Sequence, residues 1–217
     1  MVRVKQRGLK NTMQKQDPRI TKFLARPLSW SSLASFSYNK ADWYDKYILG
    51  IQPEVTAPLI FGKTVGEKIA SDPSYLTSVP RLKEHEHKLD VTIGKIPCIG
   101  FLDDFDLEGK CFNELKTGKM WSQKKAEAHG QIDLYAAMIY LKHNIKPEDL
   151  TISLIWLPTR TSRHNGVDFI KDMKPVIFPL KKTMRDILVM MAQVQRTHKE
   201  MQDYILSIPV DNVLAKN

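Results

Sequence analysis

Cysteine is scarce in this chain, acids are nearly absent from its start, and no long apolar run occurs. Two cysteines, Cys98 and Cys111, among 217 residues are too few to ligate an iron–sulfur cluster or a four-cysteine zinc site. They read as free thiols of an intracellular protein, in cytoplasm or nucleoid. The longest clearly apolar run, Leu134 to Leu141, is far too short to span a bilayer. The first residues carry charge but no apolar h-region, so neither secretion nor membrane attachment is expected. No Gly-rich phosphate loop is present, which argues against an ATP-driven motor. Residues 1–26 hold eight Lys and Arg against a single acid, Asp17. That stretch carries +7 of the total +9, leaving +2 for everything after it. Such an arm suits a polyanion, because Lys and Arg displace counterions from phosphates; the alternative is a solvated tail.

What is present is ordinary globular material, 42% hydrophobic and 26% charged. The length suits one compact domain, read as residues 21–217, preceded by a basic flexible arm over 1–20. Ser29, Ser31 and Ser32 offer N-caps for a first helix, Gly50 ends the aromatic-rich stretch after it, and Phe61–Ala70 reads as a second helix. A strand through Leu89, Val91 and Ile93 turns at Gly94-Lys95 into Ile96–Leu107, and a third strand follows. One long helix is expected over Ser122–Lys142, ended by His143-Asn144 and Pro147, then a buried strand at Thr151–Leu157 and a polar loop at Arg160–Gly166. Val167–Ile170 with Pro175–Phe178 suggest a further hairpin or edge. The last helix, about Lys181 to Leu206, places Met184, Ile187, Leu188, Met191 and Val194 at helical spacing. This order predicts an α/β domain: a mixed central sheet containing an antiparallel meander, flanked by helices.

The chemistry concentrates on the second hairpin. Glu108-Gly109 reads as a two-residue turn, glycine supplying the positive φ. Counting outward places Asp103 opposite Glu114, with Lys116 on the same face. Opposed residues stand about 4.5–5.5 Å apart at Cβ, where like charges repel. A hard cation between the carboxylates would remove that penalty and commonly shares its coordination with substrate phosphates. By composition alone, an ordinary surface hairpin explains the same residues.

Around it, Asp104 should face solvent by alternation. His85-Glu86-His87 reads as an exposed strand, with Glu86 pointing away from both histidines. His129 reads as a surface or supporting residue near Gln131. Lys119, Lys124 and Lys125 are phosphate-holding candidates or a solvated helix start, and Trp30, Trp43 and Trp121 read as core or wedge residues.

Three short motifs occur in order: Gly100-Phe-Leu-Asp103, then Glu114-Leu115-Lys116-Thr117-Gly118-Lys119, then Gln131-Ile-Asp-Leu-Tyr135. Together they resemble the PD-(D/E)XK nucleases, and among them the RecB-like branch, over roughly residues 28–157. Ser29-Trp-Ser-Ser-Leu and Phe61-Gly-Lys-Thr-Val-Gly-Glu67 are similar to that branch's opening helices. The resemblance implies a restriction-endonuclease-like core and a metal-dependent DNA nuclease. An exonuclease of recombination, repair or phage DNA processing is favoured, working alone or with a recombinase or helicase. A DNA-binding module with an inactive site and a sequence-specific endonuclease are the alternatives. The resemblance further implies that Asp103, Glu114 and the Leu115 carbonyl bind one or two Mg²⁺ or Mn²⁺ ions. Lys116 would position the attacking water, while Gln131, Tyr135 and Lys119 would meet DNA. The branch often has a histidine one residue before its helical glutamate; here Gly66 stands there. Glu67 then either adds a carboxylate to the metal or is a solvated helical residue. The iron–sulfur cysteines of some members are missing.

Overall fold

Ser29 caps the first long helix by accepting from the Ser32 N–H, as its serine run predicts. In this computed structural model, residues 17–72, 77–160, 168–169 and 174–209 are described. Most of the basic arm, and nearly all of the Arg160–Gly166 loop, lie outside them. Helices α1 (Pro18–Leu24), α2 (Trp30–Tyr38), α3 (Lys40–Tyr44, continued by a π-helical turn to Leu49) and α4 (Ala57–Ser71) come first. Strands β1 (Glu84–Ile93), β2 (Ile96–Asp106) and β3 (Cys111–Lys116) follow. Next come α5 (Gln123–Glu127), α6 (Gly130–His143), β4 (Thr151–Trp156), β5 (Thr159–Arg160), β6 (Asp168–Phe169), β7 (Val176–Leu180) and α7 (Met184–Ser207). Gly50, in the left-handed region at φ 83°, stops the π turn. Asn144 ends α6 in the same conformation, so both expected stops are met.

The main sheet runs β1-β2-β3-β4-β7, antiparallel except for the parallel β3–β4 pair. This is the mixed sheet with an antiparallel meander that the sequence predicts. Segment Pro175–Phe178 serves as part of the edge strand β7, while β6 pairs with β5 in a separate two-stranded ribbon. One face of the sheet carries the main core: Leu89, Leu102, Phe112 and Leu154 pack against α1, α2, α6 and α7. Ile155 alternates to the other face, where Val65, Ile69, Val79 and Leu157 form a smaller cluster under α4. Among the described residues no helix is long and apolar enough to cross a membrane.

Three expectations need correction. The Ser122–Lys142 helix is broken at Ala128–His129, where His129 adopts extended backbone (φ −80°, ψ 101°). Trp30 packs directly on the start of α6, where a Cβ on Gly130 would stand 2.6 Å from its ring. Lys182 stabilises the break by donating to the freed Glu127 carbonyl at 2.7 Å, which satisfies a helix-end acceptor. On α7 the buried stripe is Ile187, Met190, Val194, Thr197, Met201 and Ile205, and Leu188 is exposed. The β2–β3 turn spans four residues, Leu107–Lys110, and its positive φ falls on Lys110 rather than Gly109. Gly109 is needed for closeness instead: a Cβ there would meet the Asp106 carboxylate at 2.8 Å.

Candidate active site

Because the four-residue turn is still centred between Glu108 and Gly109, the predicted register survives: Asp104 pairs with Asn113 and Asp106 with Cys111. The ladder stops there. Asp103 and Glu114 are the first residues beyond it, at the point where β2 and β3 diverge. Leu28 takes the β2 edge that β3 leaves, donating to the Pro97 carbonyl at 2.8 Å and accepting from Ile99 N–H at 2.9 Å. The carboxylates therefore sit in a fork rather than face to face across a continuous hairpin. Asp103 Oδ2 closes the fork by accepting from the Leu115 N–H at 2.6 Å.

Glu114 is almost wholly buried, 2% exposed. Its Oε1 receives Lys116 Nζ at 2.6 Å, while its Oε2 is buried with no partner. Burial raises the Glu114 pKa, against the pull of the Lys116 ammonium. Burial first, and the Glu114 charge second, push Asp103 well above the ordinary carboxylate range. Two carboxyls forced upward beside an unsatisfied oxygen form a site that favours a cation. Lys116 also donates to Gln131 Oε1 at 2.9 Å, and Gln131 Nε2 donates to the Tyr135 hydroxyl at 2.9 Å. Gln131 and Tyr135, one turn apart on α6, thus face the site as their spacing predicts. The glycine of the first motif has a packing reason, since a Cβ on Gly100 would lie 2.6 Å from Tyr135 Cε1.

Helix α4 forms the opposite wall of an open cleft of about 700 Å³, lined by Gly62, Lys63, Gly66, Glu67, Glu86 and Asp103. Glu67 is exposed on that wall and pairs with Lys63 at 3.7 Å. Lys119 is exposed just past the turn at Gly118 (φ 84°). A Cβ on Gly66 would meet nothing within 4 Å. Among the described residues no three His, Cys, Asp or Glu side chains are drawn tightly enough together to hold a metal by themselves. Mg²⁺ tolerates that, because it uses one or two carboxylates and completes its shell with waters and substrate phosphates.

Glu86 is a cleft residue that the sequence pattern does not single out, although alternation turns it away from both histidines. It stands opposite Asp103, but that pair is absent from the β1–β2 ladder, and its φ is +49°, a rare conformation for glutamate. Its charge raises the pKa of both Asp103 and Glu114. Alternation slips at this point. His87 and Leu102 pair on the α6 face, yet Phe105 reaches the same face, against His87 and His143. The slip also corrects Asp104, which is fully buried instead of solvent-facing. Its carboxylate bonds His85 Nδ1, and Arg81 Nε stands 3.8 Å away. Only the left-handed residue, invisible in a pattern of polar and apolar letters, marks the change.

Beyond Gln131 and Tyr135 lies a second pocket, about 450 Å³, whose walls include Arg26, Ser29, Trp30, Tyr47 and Phe101. Trp43 is core, whereas Trp30 and Trp121 both turn ring edges to His129.

No protein-family model matches this sequence, and no curated protein does. Solved structures do match. An alkaline exonuclease from Laribacter hongkongensis superposes with a TM-score of 0.53 at 15% identity, covering 91% of this chain and 98% of that one. A candidate exonuclease from Eubacterium rectale gives a TM-score of 0.55 at 10% identity, covering 90% of this chain and 86% of that one. Across nearly its whole length, the chain has the fold of these two exonucleases.

Proposed function

We propose that this protein is a Mg²⁺- or Mn²⁺-dependent deoxyribonuclease of the RecB-like kind, acting as an exonuclease in DNA recombination, repair or phage DNA processing. The observation that carries the reading is the meeting of Asp103, Glu114 and Lys116 in one fork, with Glu114 Oε2 buried and unpartnered. Asp103, Glu114 and the Leu115 carbonyl would hold the cation, with Glu67 and Glu86 on the rim of the same cleft. Bound there, such an ion would acidify a water and offset charge on the phosphate. Lys116, fixed between Glu114 and Gln131, orients the attacking water and stabilises the negative charge that builds on the phosphoryl oxygens. The neighbouring pocket suits a strand end: the exposed Phe101 ring and Trp30 line it for a base, and Arg26 brings a guanidinium for a phosphate.

Incubation with end-labelled linear DNA and with closed circular DNA, each with Mg²⁺ or Mn²⁺, tests it. Linear DNA is degraded from its ends, circular DNA is spared, and Glu114→Ala and Lys116→Ala abolish turnover. No cleavage by the wild type, or full cleavage by either variant, defeats the reading. Discrete fragments from circular DNA would make the enzyme an endonuclease. A second reading, a DNA-binding module without turnover, draws on the lack, among the described residues, of three clustered metal-ligating side chains. It requires salt-sensitive binding that survives Asp103→Ala, with no cleavage under either ion.

A further inference from the structure

The break between α5 and α6 puts a histidine beside the catalytic network, and its hydrogen bonding can be deduced. A lysine ammonium only donates, so the Gln131 atom 2.9 Å from Lys116 Nζ must be the amide oxygen. That same oxygen lies 3.2 Å from His129 Nε2, so Nε2 must carry the hydrogen. The amide nitrogen is left for the Tyr135 hydroxyl at 2.9 Å. Turning the amide over would set its N–H groups against the Lys116 ammonium.

We propose that His129 is a positioning residue: by donating from Nε2 to Gln131 Oε1 it locks the Gln131 amide, and the locked amide keeps Lys116 against Glu114. The ring is itself held edge-on by two indoles, Trp30 at 5.6 Å and Trp121 at 5.1 Å between centroids. Burial, helped by the charges of Lys116, Lys125 and Lys182, lowers its pKa to about 4. The ring therefore stays neutral at working pH and adds no positive charge beside Lys116. As far as catalysis goes, the assignment rests on the nuclease reading; the hydrogen-bond geometry does not.

The test compares His129→Phe, which keeps a ring between the indoles but removes the donor, with His129→Gln, which restores an N–H near the Nε2 position. On linear DNA with Mg²⁺, His129→Phe lowers kcat about tenfold, the rate equivalent of one neutral hydrogen bond, with KM and melting temperature unchanged. His129→Gln recovers most of that loss. In ¹⁵N spectra of the wild type, the His129 ring is the Nε2–H tautomer and remains neutral down to about pH 5. Wild-type kcat in His129→Phe, no recovery in His129→Gln, or an Nδ1–H tautomer would each overturn the proposal. A wild type that cleaves nothing would sink the nuclease reading instead, and the ¹⁵N tautomer would still decide the geometry.

Discussion

Gly100→Ala is the sharpest test of how the first motif works. In an open strand position, replacing glycine by alanine stabilises by roughly 0.5–1 kcal/mol, because glycine loses more backbone freedom on folding. Gly100 is buried in β2 and has no open space. A Cβ there would lie 2.6 Å from Tyr135 Cε1, 3.2 Å from its Cδ1 and 3.3 Å from Met138 Sδ. The methionine can move, but the tyrosine is only 5% exposed and belongs to a helix whose inner face is wholly packed. Overpacking of this kind costs about 1–3 kcal/mol, so the net loss is roughly 1–2 kcal/mol after the entropic gain. For a domain of this size that lowers the melting temperature by about 2–8 °C. The displaced ring also gives up the Gln131–Tyr135 bond at 2.9 Å, loosening Gln131 and, through it, Lys116. Urea melts together with single-turnover cleavage measure both consequences. A variant as stable as wild type, with full turnover, would show that Gly100 is not there to admit Tyr135.

Gly66→Ala should behave oppositely: the added methyl meets nothing within 4 Å, so this position inside α4 gains about 0.5–1 kcal/mol, read by thermal melting. Destabilisation there would contradict the open wall of the cleft. Glu86→Gly relieves the +49° φ and should stabilise by about 1 kcal/mol, while turnover falls at limiting Mg²⁺. Unchanged turnover would remove Glu86 from the site. Asp103→Asn probes the buried charge. The folded-state pKa of Asp103 is raised above its ordinary value of 3.8, so across the interval above that value the folded chain binds more protons than the unfolded one. Metal-free wild type then loses stability relative to Asp103→Asn as pH rises through that window. Mg²⁺ or Mn²⁺ at about 100 times its Kd restores roughly 2.7 kcal/mol to the wild type and little to the variant. A pH-independent difference, or equal metal response, would count against a paired carboxylate site.

Much of this was legible from local chemistry. The helix stops at Gly50 and Asn144, the Gly94 turn and the β2–β3 register follow from turn residues and alternation alone. The register survived an error in turn length because both turns share a centre. Spacing also sufficed for Gln131 and Tyr135. Alternation failed at Asp104, which is buried against His85 instead of facing solvent, beside the one residue of β1 with a positive φ, Glu86. The α5–α6 break was illegible for another reason: the Glu127 carbonyl it frees is satisfied by Lys182, 55 residues downstream, and Trp30 packs on the Gly130 that follows. Non-local packing overrode a helix-compatible sequence there. His129 was legible as a neighbour of Gln131, but its bond to the Gln131 amide and its seat between two indoles become visible only in three dimensions.

Arg19 spans the molecule in another sense. Its guanidinium is held by Asp17 at 2.6 Å and donates to the Ile208 carbonyl at 2.8 Å, across a sequence separation of 189. The first helix is thereby fastened to the end of the last one, and Leu28 waits for β2 before it can join the sheet. During synthesis α1 can settle early on α3 and its π-helical turn, through Lys22 to the Ile48 carbonyl and Arg26 to the Tyr47 carbonyl. The clasp that joins it to the last helix closes only when Ile208 has left the ribosome.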